Sequence, residues 1–234
     1  MLPRWTIDEI RARYELEPSL RDFFVEGSFD QELFERAAIG QGSKDVRIYS
    51  IDSVEIPNER LVALNLTEGQ KQRVIVLGNL LGKLSKTPKA KCLVDRDTDL
   101  FFGSLHDGPV LHSISVCTIE SHFLSEPSLS RILTTGCKIK VESESRLFDS
   151  IYVTIRWLFA LRLAERELGL PLKWIPLRKY LAKETGALRF DDVKYLKAIL
   201  QNSGHSKREN ELGADPISRG LLSRRSLVWA RGHG

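Results

Sequence analysis

Apolar residues in the first half of the chain alternate between helical and extended spacing. Thr6 to Ile10 opens an amphipathic helix, with Thr6 placed to cap it, Glu9 to complete a capping box and Pro18 to close it. Asp22 to Val25 is a short apolar run stopped by Glu26 and Gly27, the pattern of a buried strand. Ser28 and Gln31 read as a second capping box, and Phe29, Leu33, Phe34 and Ala37 behind them share a helical face directed at a core. Val46 to Ile51 alternates as a strand. The polar stretch from Asp52 to Asn65, with Pro57 and Asn58, predicts a loop or an edge hairpin. Val74, Leu77, Leu80, Leu81 and Leu84 give helical periodicity to Gln70–Ser85, which ends before Pro88. Ala90 to Val94 predicts a third strand and Val110 to Cys117 a fourth. Thr118 to Leu124 predicts the start of a helix. The order β-α-β-α-β-β, then helix, is that of an α/β domain with a mostly parallel sheet flanked by helices.

After Cys137 the pattern changes. Lys138 to Val141 predicts a short strand, and Phe148 to Leu168 a long, Arg-rich amphipathic helix. Leu177–Glu184 and Phe190–Asn202 read as two further helices, with Gly186 as breaker and Asp191 as cap. Ser203 to Gly220 is a polar loop, and the last stretch has a short apolar run at Leu227, Val228 and Trp229. The expected organisation is an N-terminal helix (1–19), an α/β domain (20–137) and a helical C-terminal region (138–234).

Composition narrows the chemistry. At 234 residues and 42% hydrophobic, the chain can bury one substantial core with a small appended unit. Cys92, Cys117 and Cys137 show no C-x-x-C spacing, and the five histidines show no metal-ligand spacing, so zinc chemistry is disfavoured and a reducing compartment expected. Met1 to Tyr14 is too charged for a signal peptide, and Arg156 and Arg162 interrupt the longest apolar stretch. The expectation is a soluble, cytoplasmic protein without membrane contact. Residues 1–117 hold 15 Lys/Arg against 18 Asp/Glu, whereas residues 118–234 hold 20 against 13. A basic half can concentrate polyanions near an acidic site.

The acidic site is the segment Ala90 to Asp99. If the strand runs on, Asp95, Asp97 and Asp99 project from one face. Like charges so close repel unless a cation sits between them or one takes a proton. A magnesium or manganese site at the carboxyl end of a parallel strand satisfies that condition, and a solvated Asp-rich turn is the competing reading. Glu26 lies at the carboxyl edge of an earlier strand, where the dipole of the following helix would also favour it without any catalysis. Lys89, Lys91, Lys138 and Lys140 suit either phosphate contacts or solvated strand edges. Arg156, Arg162 and Arg166 read as a wet helix face, His112 and His122 as packing or surface residues, and Trp157 and Trp174 as core.

Strand-Glu26-Gly27-helix followed by strand-Asp95-x-Asp97 resembles the Toprim domain of topoisomerases, primases and overcoming-lysogenization-defect nucleases. Phe24 to Gly27, Leu93 to Asp99 and Thr118 to Glu120 are most similar to the Toprim effectors of PARIS-type anti-phage systems, which accompany an ABC-type ATPase. The resemblance spans roughly residues 20 to 135 and implies a toxic, metal-dependent endonuclease acting on RNA, tRNA ahead of DNA. It implies that Glu26, Asp95 and Asp97 hold one or two Mg²⁺ or Mn²⁺ ions, with Glu26 as ligand or general base. Glu120 fits a further catalytic acid of nuclease members, and Asp99 an extra ligand or a turn cap. Expected partners are nucleic acid, the ATPase, and a second copy of the chain on activation. No topoisomerase tyrosine motif, primase zinc ribbon or G-x-x-x-x-G-K-[ST] loop occurs, so nucleotide-driven control falls to a partner. Ala230 to Gly234 resembles an R-G-H segment of the family, without the helix that follows it there, which leaves the role of His233 open.

Two rival readings use the same residues. Leu93 to Asp97 resembles the haloacid-dehalogenase phosphatase motif, with Asp95 as nucleophile and Asp97 as acid/base. Asp99 stands where that family has Thr or Val, and Asp191-Asp192 opens a helical stretch instead of ending a strand. The other reading is a regulatory subunit with structural carboxylates that binds an ATPase.

Overall fold

The computed structural model describes residues 4–43, 45–138 and 142–208, and the chain divides into two units, residues 1–121 and 122–234. The first unit opens with α1 (Ile7–Leu16), whose capping box forms as expected: Thr6 Oγ1 accepts from Glu9 N–H, and the Glu9 carboxylate accepts from Thr6 N–H at 2.7 Å. There follow β1 (Arg21–Val25), α2 (Ser28–Gly40), β2 (Val46–Ser50), α3 (Asn58–Ala63), α4 (Gln70–Leu81), β3 (Lys91–Val94), α5 (Asp99–Phe102) and β4 (Leu111–Ser113). The strands lie in the order β2-β1-β3-β4 and every pairing is parallel, the expected α/β architecture and consistent with a Toprim-like fold.

That order positions the site. The chain runs from β1 to one side to make β2, then crosses β1 to make β3 on the other. The order in which strands are added therefore reverses between β1 and β3, and open α/β sheets bind ligands outside the carboxyl ends at such a switch point. The core beneath is built by Ile10 and Tyr14 of α1, Phe24 of β1, Val74, Leu77 and Leu81 of α4, and Cys92 and Val94 of β3. Gly78 lets α4 lie close on the sheet, because a Cβ there would stand 2.8 Å from Leu111 Cβ and 3.2 Å from Cys92 Cβ. Asp22 is buried and accepts from Arg13 Nη2 at 2.9 Å and Tyr14 Oη at 2.8 Å, which ties α1 to β1. The N-terminal helix thus belongs to the core of the first unit.

Several expectations change. Residues 58–63 form a helix where a loop or hairpin was expected, because Leu61 is buried in the core. The fourth strand is only three residues long, and residues 119–123 make a 3₁₀ turn instead of a helix. α2 begins at Ser28 with Gly27 as its cap: Gly27 N–H donates to Asp30 Oδ2, while Gln31 Oε1 accepts from Ser50 N–H on β2. The expected core face of α2 is only half realised. Leu33 and Phe34 are half-buried, whereas Phe29 and Ala37 are exposed, because this helix lies along the edge strand β2.

The second unit contains α6 (Glu126–Arg131), a π-helical turn at 132–136, α7 (Glu144–Glu167), β5 (Leu181–Glu184), β6 (Ala187–Phe190) and α8 (Asp192–Asn202). The division falls at 121/122 against an expected 137, because α6 packs on α7. Trp157 is a core residue as expected, its ring edge-on to Phe190 at 5.2 Å and to Tyr195 at 6.1 Å. Trp174 packs against the same cluster and donates to Glu165 at 3.0 Å, with the Arg162 guanidinium 5.1 Å over its ring. The expected helix at 177–184 is a 3₁₀ turn followed by an antiparallel hairpin. Gly186, at φ +68°, makes the tight reversal that lets Leu181 pair with Phe190. The described part of the C-terminal unit is therefore mostly, not wholly, helical. Lys140, most of the expected strand at 138–141, and residues 209–234 with the 227–229 run and His233, lie outside the described residues. Among the described residues no helix is long and apolar enough to cross a membrane.

Candidate metal centre at the switch point

β1 and β3 end side by side, and the first residue beyond each is a carboxylate. Asp95 N–H donates to Glu26 Oε1 at 2.9 Å, so the Glu26 side chain continues the pairing where the backbone ladder stops. Asp95 Oδ1 in turn accepts from Ile119 N–H at 3.2 Å. These two contacts join residues 69 and 24 positions apart into one cluster. Glu26, Asp30 and Asp95 line a hollow of about 10 Å³, walled by Val25, Phe34, Val94, Ile114 and Ile119. That is room for one water or one small ion.

The charges in this hollow are poorly compensated. Burial, then the neighbouring charges of Asp95 and Asp97, pushes Glu26 up to about 7 against the pull of Asp95 N–H and Lys71. Burial likewise raises Asp95 to about 6, helped by Asp97, Asp30 and Glu120 and opposed by Ile119 N–H. Asp30 is raised by burial and by Glu120, against the Gly27 hydrogen bond. Glu120 is exposed in the 3₁₀ turn after β4 and acts on the cluster through its charge.

The aspartate run does not stay extended. β3 stops at Val94 and Asp97 takes φ +48°, so Asp95 and Asp97 do not share a strand face as expected. Asp97 N–H donates to Cys117 O at 2.7 Å, and Asp99 already begins α5, which requires the chain to turn. Asp is among the residues that enter the left-handed region most readily. The carboxylates of Asp97 and Asp99 both meet Lys71 Nζ at 2.7 Å. Asp99 also accepts from Ser104 Oγ at 3.1 Å. Glu26 and Asp95 therefore form one sub-cluster, and Asp97 and Asp99 a second that is paired with a lysine.

Two contributors lie outside the motifs. Asp30 sits four residues after Glu26 in the first turn of α2, where the Ser28/Gln31 capping reading hides it. Lys71 lies on the same face of α4 as buried Ile75 and Gly78, and a cation at a core-facing helical position is a legible signal. Lys91, by contrast, is held at the sheet by Pro109 O at 3.2 Å and His112 Nε2 at 2.9 Å.

A divalent cation fits this donor set. Glu26 and Asp95 are hard oxygen donors, and neither has an ion pair among the described residues. Mg²⁺ usually takes one or two carboxylates and completes its octahedron with water and substrate phosphate. Among the described residues, no three His, Cys, Asp or Glu side chains converge into a ready-made cage. Comparison of the sequence with protein-family models and with curated proteins finds no match in either.

Proposed function

We propose that the first unit is a Mg²⁺-dependent, Toprim-type endonuclease that cleaves phosphodiester bonds, with RNA, and tRNA in particular, favoured over DNA. In this reading the chain is the toxic, cytoplasmic effector of an anti-phage system, controlled by an ABC-type ATPase. The observation that carries the catalytic part is the Asp95 N–H to Glu26 Oε1 contact at the switch point, which brings two carboxylates with elevated proton affinity to one place. The substrate preference and the ATPase partner rest on the sequence resemblance.

A divalent cation bound there supplies polarisation of the scissile phosphate and a more acidic attacking water. The chain's own groups do the rest. Ile119 N–H holds the Asp95 carboxylate in one orientation, and Asp95 N–H does the same for Glu26. Burial and the neighbouring Asp95 and Asp97 charges raise the proton affinity of Glu26, and a cation held between Glu26 and Asp95 would relieve that repulsion.

The test is incubation of the purified protein with tRNA, single-stranded DNA and duplex DNA, with Mg²⁺ or EDTA. Mg²⁺-dependent cleavage that disappears in Glu26→Gln and Asp95→Asn is expected. A second reading, a non-catalytic subunit that binds the ATPase, is favoured by the Lys71 bridge, since a salt-bridged D-x-D can be purely structural. Unchanged toxicity and partner activity in both variants would establish that reading and sink the nuclease.

A further inference from the structure

We propose that Lys71 stands in for a second divalent cation: its ammonium is the fixed counter-charge of Asp97 and Asp99, and the centre takes one metal ion, at Glu26 and Asp95. This rests on the metal-dependent reading above and decides the number of ions that the resemblance leaves open. Three observations carry it. Lys71 Nζ meets Asp97 Oδ2 and Asp99 Oδ2 at the same 2.7 Å distance, so one point of positive charge serves both carboxylates. The lysine and Asp99 side chains are only 11% and 13% exposed, so water screens the pair weakly. The lysine is also held rigidly at its root, because α4 is seated on β3 and β4 through Ile75 and Gly78.

An ion binding at Asp97 and Asp99 would have to expel this ammonium from a half-closed site and leave it without a partner. Breaking a buried pair by removing one partner is strongly unfavourable. The Glu26–Asp95 pair makes no such demand, since neither carboxylate has an ion pair among the described residues. The Lys71 ammonium ties Asp97, at φ +48°, to Asp99 at the start of α5.

The experiment counts Mn²⁺ ions bound to the full chain by electron paramagnetic resonance and calorimetry, without nucleic acid. Wild type is expected to bind one ion, lost in Glu26→Gln, while Asp97→Asn and Asp99→Asn each still bind one. Lys71→Met is expected to gain a second ion, abolished by adding Asp99→Asn, and Lys71→Arg to restore the count of one. Should Lys71→Met fail to fold, the two aspartate variants decide the matter alone. Two ions in wild type, with one lost in Asp97→Asn or Asp99→Asn, overturn the lysine assignment and leave the nuclease reading standing. No ion in wild type overturns both.

Discussion

Replacing Glu26 with Gln should stabilise the metal-free protein, and by an amount that depends on pH in a defined direction. The amide keeps an oxygen to accept Asp95 N–H and nearly the same volume, so the main change is loss of the charge. Burial and the Asp95 and Asp97 charges raise Glu26 from an ordinary 4.5 to about 7 in the folded chain. Below pH 4.5 the carboxyl is protonated in folded and unfolded states alike, and it carries no penalty. As pH rises through that value, the unfolded chain ionises first and stability falls; above about 7 the loss is complete. At 1.36 kcal/mol for each tenfold change in proton affinity, ionising Glu26 in place costs roughly 3 kcal/mol. Partial contact with water reduces this to about 2 kcal/mol. For a unit of this size that corresponds to a Tm difference on the order of 6 °C. The assay is thermal unfolding in EDTA, wild type against Glu26→Gln, from about pH 4.5 to about pH 8. The two should melt together in acid and separate towards alkali, the variant higher. A difference independent of pH, or a wild type that melts higher at about pH 8, refutes the electrostatic account.

Adding Mg²⁺ at about pH 8 should raise the melting temperature of wild type and leave that of Glu26→Gln nearly unchanged, since the ion offsets the charge that the variant lacks. Asp30→Asn should lower the proton affinity of Asp95, visible as a shift of its carboxyl titration to lower pH by NMR, because Asp30 is one of the charges that raise it. Gly78→Ala should destabilise the protein by about 1–3 kcal/mol in denaturant unfolding, since the new methyl meets Leu111 and Cys92 inside contact distance. Arg13→Met should lose more, about 3–5 kcal/mol by the same measurement, because it leaves Asp22 buried without its cation.

Elements whose signals are local were legible in the sequence. The Thr6/Glu9 capping box, the β1 run before Glu26, the helical period of α4 and of α7, and β3 all follow from side-chain spacing and termini. The hairpin at 181–190 was not, because its residues suit a helix as well as a strand until Gly186 reverses the chain and β6 packs on α7. Nor was the end of β3. Alternating aspartates look extended on paper, and only the Cys117 carbonyl and the Lys71 ammonium, both distant in the chain, draw Asp97 into a turn.

The sequence by itself determined which residue types could carry chemistry here: a carboxylate at the end of β1, an aspartate run after β3, and an α/β order that makes the strands parallel. It could not say which of those carboxylates meet. Strand order β2-β1-β3-β4 places Glu26 beside Asp95, and a helix between β2 and β3 delivers Lys71 to Asp97 and Asp99. The physical reason is that spacing along a chain sets only local direction, whereas charge pairing depends on distances of a few ångströms between segments. Those distances exist only after the sheet has assembled, and they alone sort this acidic cluster into a pair with no ion pair among the described residues and a pair bridged by Lys71.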